Sequence, residues 1–183
     1  HSQLGCRVTL LETVSILPKY DPELVGAVRQ EIFKNSFCLH ETAVIERIQS
    51  LGEGVRVKTV KEGSKKAIDG SHLLIATGRR PNIAGLNLGK AGIVYSESGI
   101  QVDSRLRTSN KKVFAIGDVV GGFQFTHVAA YQAGVVIKNA LFRMPAKADY
   151  RTVPRVTYTE PELAQVGISE GGAKKNGPAL RVL

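Results

Sequence analysis

Three short stretches carry residue types that could hold a ligand. The first is Val113-Phe114-Ala115-Ile116-Gly117-Asp118-Val119, with a helix signal opening near Thr126. An apolar run ending in Gly-Asp brings a carboxylate to a strand tip, where it can accept a hydrogen bond from a hydroxyl of a bound ligand. A helix that follows aims its N-terminal amides and positive dipole end at the same ligand. The competing reading is an aspartate that only caps a turn. Strand, Gly-Asp, a short Gly loop and then Thr126-His127 at a helix start form a specific combination, and it favours the ligand site. His127 invites a catalytic reading. No base or nucleophile partner lies near it in sequence, so its backbone N–H is expected to matter more than its ring.

The second stretch is Cys6-Arg7-Val8-Thr9-Leu10-Leu11-Glu12. In a dinucleotide-binding βαβ unit the second strand ends in an acid that binds the adenosine ribose hydroxyls, ~20 residues past a glycine fingerprint. A carboxylate there favours NAD, because it would repel the extra phosphate of NADP. An acid at a strand end also reads as a solvated surface residue. The third stretch, Ile75-Ala76-Thr77-Gly78-Arg79-Arg80-Pro81, is a strand signal that ends at a glycine. Glycine lets backbone approach a ligand closely, yet strands end this way in many α/β folds.

Elements to position these residues follow from patterning. Residues 6–12 and 72–77 read as buried parallel strands, and 113–116 as a third. Asp21 is an N-cap and Pro22 a first helical residue, with Leu24, Val28 and Ile32 on one face and a stop at Asn35. Residues 37–48 give one or two strands. Residues 55–60 alternate as an exposed antiparallel strand, and 62–66 form a turn. A helix from about Thr126 to Phe142 is apolar nearly all round and is expected to be buried, with Pro145 ending it. Residues 154–159 read as a strand entering another domain.

Of the 183 residues, 43% are hydrophobic, which suits one globular domain or parts of two. No apolar run approaches the ~20 residues that span a bilayer. The net charge of +9 raises nucleic-acid binding as a class. The basic residues are interrupted by acids and lack interleaved aromatics, so no nucleic-acid partner is expected. Cys6 and Cys38 fall in apolar stretches and read as buried structural thiols, a usage that fits a reducing cytoplasm. The chain opens without Met, on residues that read as the end of a helix.

Taken together, these segments resemble the pyridine nucleotide-disulfide oxidoreductases, in the branch of dihydrolipoamide dehydrogenase and mercuric reductase. Residues 7–12 look like the second strand of the family's NAD domain. Residues 76–82 look like its ATGRxPN crossover, and Thr108-Ser109 with 113–118 like its second FAD motif. Phe125-Thr126-His127-Val128-Ala129 resembles the helix start beneath the flavin, and 154–166 the first strand of the dimerisation domain.

The resemblance implies an α/β fold: partial doubly wound FAD- and NAD-binding domains and the start of an α+β dimerisation domain. Residues 1–78 would end the NAD domain, 79–150 would form a second FAD segment, and 151–183 would begin the dimerisation domain. Glu12, Ile45 and Gly78 would line the NAD site. Asp118, Gln124, Phe125, Thr126 and His127 would line the FAD site. The redox Cys pair, both GxGxxG fingerprints and the catalytic His-Glu pair of the family are not in this sequence, which fits a chain cut at both ends. Catalysis is therefore expected of a parent protein, a cytoplasmic homodimer, and not of these residues alone. The implied activity passes electrons between NAD(H) and a dithiol or disulfide through FAD. Mercuric reductase or a related flavoprotein reductase is the alternative, and a non-catalytic nucleotide-binding or dimerising fragment is a third. Edges left by missing strands imply that the 183 residues alone do not fold stably.

Overall fold

Alternating β-branched and polar residues between positions 44 and 70 build the most regular part of the molecule. The computed structural model describes residues 1–34 and 37–176. The chain divides into two units, His1–Ala76 together with the chain from Val156 onward, and Thr77–Arg155.

In the first unit β1 (Val8–Leu11) pairs in parallel with β2 (Phe37–His40), and α1 (Pro22–Ile32) is the crossover between them. This is one βαβ step of an α/β fold. Pro22 starts α1 as expected, but the Asp21 carboxylate makes no cap. It accepts a hydrogen bond from Gln165 Nε2 at 3.1 Å instead. The helix buries Val25 and Val28, while Leu24 is 39% exposed, so the buried face is rotated from the expected 24-28-32 stripe. The stop read at Asn35 lies outside the described residues.

An antiparallel sheet of order β3-β4-β5 follows, from Val44–Leu51, Gly54–Lys61 and Ser64–Gly70. Glu62 (φ 50°) and Gly63 (φ 79°) both take the left-handed conformation that a two-residue type I′ hairpin needs. β4, expected to be exposed, is instead the central strand, and it buries Val57 and Thr59 because a partner flanks it on each side. The unit also holds a small sheet of β8 (Arg155–Thr157) and β9 (Leu163–Gln165), which begins at the unit boundary. The helix α3 (Glu170–Asn176) follows it.

In the second unit the core is Leu88, Ile93, Ile100 and Ala115, with Ile83, Val102 and Val113 packed against it. β6 (Tyr95–Ser96) and β7 (Gly99–Ile100) form a short hairpin. The remaining helix, α2 (Thr126–Ala140), buries one stripe of Val128, Gln132 and Val135, at i, i+4 and i+7. It is not buried all round: Ile137 is 46% exposed, and beyond its end Leu141 and Phe142 are 73% and 67% exposed.

Two expected strands do not form. Residues 72–77 pair with no strand among the described residues, and Leu74 and Ile75 stand exposed. Residues 113–116 are reduced to a single bridge between Phe114 and Arg107. A strand is a hydrogen-bonded object, and a β-prone sequence without a neighbouring strand stays a loop. Cys6 and Cys38 are exposed, not buried, because two strands and one helix cover too little surface to enclose them.

A carboxylate organises the turn that enters the 107–114 bridge. Asp103 Oδ1 accepts the backbone N–H of Arg105 (2.9 Å) and of Arg107 (3.0 Å), and Oδ2 accepts Arg107 Nε (2.9 Å). Burial pushes this carboxyl up, but the bonds from the Arg107 side chain and the two amides outweigh it and hold the pKa at about 2. A depressed carboxyl stabilises the fold above its unfolded value of 3.8, and that share is lost as pH falls toward about 2. In Asp103→Asn the fall in melting temperature over that acid window should be shallower, as scanning calorimetry against pH will show. Gly99 makes a second expectation. Its φ is +124°, and a Cβ there would stand 2.5 Å from the Val119 carbonyl oxygen. Gly99→Ala should cost about 3 kcal/mol, read by chemical denaturation.

Candidate functional site

The second unit gathers the Gly-Asp motif and the helix start. Residues Gly117–Val120 form one 3-10 turn that packs on α2. Gly117 is buried with φ +73°, and a Cβ at this position would meet Ala129 Cβ at 3.4 Å. Its N–H donates to Gln132 Oε1 at 2.6 Å, and Gln132 Nε2 donates to the Tyr150 hydroxyl at 2.8 Å. Gln132 is only 3% exposed, so these two bonds satisfy a polar side chain inside an apolar stripe. Sequence reasoning passed over Gln132. The signal was there: an amide at i+4 between Val128 and Val135 on the buried face.

The turn held in this way leaves Asp118 at the surface. Its carboxylate makes no hydrogen bond or ion pair with the described residues, although its carbonyl accepts the Gly121 N–H at 3.1 Å. Phe125 is the N-cap of α2, and its carbonyl accepts the N–H of Val128 (3.0 Å) and Ala129 (3.2 Å). The N–H groups of Thr126 and His127 find no acceptor among the described residues. Free first-turn amides on α2, and an unpaired carboxylate on the turn that packs on that helix, suit a ligand that carries both hydroxyls and negative charge. Such a donor and acceptor set fits the ribityl and phosphate chain of a flavin dinucleotide.

The other residues of this segment are tied down by their surroundings. Arg79 Nη1 donates to the Gln124 carbonyl at 3.0 Å, which joins the segment around Gly78 to the loop before α2. Gly78 has φ +113°, and a Cβ there would meet nothing within 4 Å. The backbone conformation, and not crowding, therefore calls for glycine here. The His127 ring lies 2.9 Å from the Pro154 carbonyl oxygen through Nε2 and stacks on Phe125 at 5.3 Å. Both features occupy the ring in packing.

In the first unit, Glu12 follows β1 directly. Its N–H donates to the His40 carbonyl at 2.9 Å, which continues the parallel pairing one residue further. Its Oε1 accepts the N–H of Thr13 (2.8 Å) and of Val14 (3.3 Å), while Oε2 has no partner among the described residues. Ile45 is 40% exposed and lies opposite Thr59 in the β3–β4 register. Glu41, also unremarked in the sequence, braces this end of the sheet. It forms a two-pronged ion pair with Arg29 of α1 and accepts the Ile16 N–H at 2.7 Å. The Arg29 bond, partly opposed by burial, holds the Glu41 carboxyl below the usual range. Glu12 and Ile45 thus lie in the first unit, and Gly78, Asp118 and residues 124–127 in the second.

Residues 1–133 match the family model of the pyridine nucleotide-disulphide oxidoreductases. A mercuric reductase of Lysinibacillus sphaericus is 39% identical over 95% of the chain, which covers 32% of that protein. A dihydrolipoyl dehydrogenase of Staphylococcus aureus is 34% identical over 98% of the chain, covering 39% of that protein. Among solved structures, the Cu(II) complex of the HOCl-induced flavoprotein disulfide reductase RclA from Escherichia coli superposes with a TM-score of 0.84. That match has 31% identity and covers 96% of this chain and 40% of RclA. The chain therefore spans from 32% to 40% of the length of these relatives. With its βαβ step, its Gly-Asp turn against α2 and its family match over residues 1–133, the chain belongs to the pyridine nucleotide-disulphide oxidoreductase family.

Proposed function

We propose that this chain supplies cofactor-binding segments of an FAD-dependent oxidoreductase that passes electrons between NAD(H) and a dithiol or disulfide, in the manner of dihydrolipoamide dehydrogenase. The observation that carries the reading is the Asp118 carboxylate, unpaired among the described residues, on a turn that Gln132 anchors to the helix whose first amides, at Thr126 and His127, are free. In this reading residues 1–78 belong to the NAD domain, 79–150 to the FAD domain and 151–183 to a dimerisation domain. The parent protein is a cytoplasmic homodimer whose redox cysteines and His-Glu pair lie outside these residues. The likeness to mercuric reductases, higher in identity than that to dihydrolipoyl dehydrogenases, favours mercuric ion as the second substrate to assay.

The flavin, when bound, supplies the hydride and electron chemistry. This chain's own residues bind and orient. Asp118 would accept hydrogen bonds from ribityl hydroxyls, and the amides at the start of α2 would favour a negatively charged part of the cofactor. Residues 124–127 add backbone contacts, and the His127 ring takes no part in proton transfer. Gln132 is a positioning residue, because it touches the turn and not the ligand. Glu12 would hold the adenosine ribose of NAD through its free oxygen, with Ile45 in the same unit.

Two expectations test this in the full-length protein. Asp118→Ala should lose most of its bound flavin, measured as the visible absorbance of purified protein, and Asp118→Asn should recover part of it because an amide oxygen still accepts. Full flavin content in Asp118→Ala would sink the assignment. Glu12→Ala should raise the KM for NADH by roughly tenfold with little change in kcat, the pattern of a lost binding contact. An unchanged KM would return Glu12 to the solvated surface.

A further inference from the structure

One cavity in the first unit gathers two lysines, Lys61 and Lys66, that form no ion pair with a described acid. Its volume is about 280 Å³, and His40, Thr59, Lys61, Ser64 and Lys66 contribute to its lining, with Glu62 as the one acid there. The strand register explains the gathering. On β4 and β5, Thr59 pairs with Lys66 and Lys61 with Ser64. Residues two apart share a face, so the four side chains form one patch at the turn end of the hairpin. Two ammonium groups and two hydroxyls stand together, and His40, the last residue of β2, brings an imidazole to them.

Two other cations on this sheet meet acids, whereas Arg47 and Lys58 make no ion pair with a described residue. Lys65 pairs with Glu46 at 3.2 Å, and Arg56 with Asp69 at 2.6 Å. Neither Lys61 nor Lys66 makes an ion pair with a described residue. The nearby Glu41 is engaged by Arg29, and Cys38 Sγ lies 3.4 Å from His40 Nε2. Burial, then the charges of Lys66 and Lys61, hold the His40 imidazole below the usual histidine range.

We propose that this cavity binds a small tetrahedral oxyanion of the phosphate or sulfate class, held by the ammonium groups of Lys61 and Lys66 and the hydroxyls of Thr59 and Ser64. Charge-assisted bonds from two ammonium groups to one anion relieve their mutual repulsion. The site differs from the ribose contact assigned to Glu12. Leu11 and His40 are register partners on one face of the parallel pair, and Glu12, one residue on, falls on the other.

The test is calorimetric titration of the full-length protein with sodium sulfate at an ionic strength held constant with chloride. Saturable binding is expected. Lys61→Ala/Lys66→Ala should weaken it by roughly tenfold or more. Glu62→Gln should tighten it, a gain that a misfolded variant would not give. Equal affinity in all three proteins, or no saturable heat over chloride, would mean an adventitious ion only and would overturn the proposal. Displacement of sulfate by NADH would assign the anion to the nucleotide site and overturn it equally. Glycerol phosphate binding tighter than inorganic phosphate would support the site as one for a phosphorylated metabolite, and the reverse order as one for the free ion.

Discussion

The buried amide of Gly117 sets the terms for the second unit. It lies at the end of an apolar run that forms only one bridge, so no strand ladder is available to it. An unanswered buried N–H costs about 1–3 kcal/mol. Gln132 answers it from inside α2, and its other end is held by Tyr150. Around that bond the rest falls into place. The turn closes against the helix, Gly117 takes the left-handed φ of +73° that the turn needs, and Asp118 is delivered to the surface with its carboxylate unpaired among the described residues. A ring cluster supports Tyr150, with Phe123 at 5.8 Å and Tyr131 at 6.3 Å, and Arg155 covers Phe123 at 5.6 Å. The binding features at the start of α2 thus rest on a polar anchor two turns along the same helix.

The first unit solves a similar problem with charge. Its two parallel strands end in loops that must be held in fixed positions if Glu12 is to be presented. Glu41 does this by taking the Ile16 amide from one loop and Arg29 from the crossover helix. Both side chains are partly exposed, so the pair contributes through geometry more than through raw Coulomb energy. The antiparallel sheet adds an uneven distribution of cations. Lys65 and Arg56 meet acids across the strands, while Lys61 and Lys66 are left together on the cavity side.

Much of the local structure was legible in the residues. Pro22 marks the start of α1, Glu62-Gly63 the hairpin, Thr126 the start of α2, and Pro154 onward a new strand. These are properties of a few neighbouring residues, chiefly fixed φ angles and missing donors. The strands read at 72–77 and 113–116 were not realised, and the cysteines were misplaced as buried. Apolar composition states what a segment prefers, whereas pairing and burial depend on what lies beside it.

For the candidate site the division is the same. The sequence by itself determined which groups could bind: the Gly-Asp pair at 117–118, the open helix start at Thr126 and His127, the glycine at 78 and the acid at 12. Their chemistry is a property of residue type and of short-range backbone geometry. Only the tertiary structure decided that Gln132 would hold the Gly117 amide, that Arg29 would claim Glu41, and that the His127 ring would be spent on Pro154 and Phe125. Each of these joins residues between 2 and 27 positions apart. Most span a helix or a loop, and no local propensity encodes such a pairing. It follows from which donor, once buried, finds an acceptor within reach.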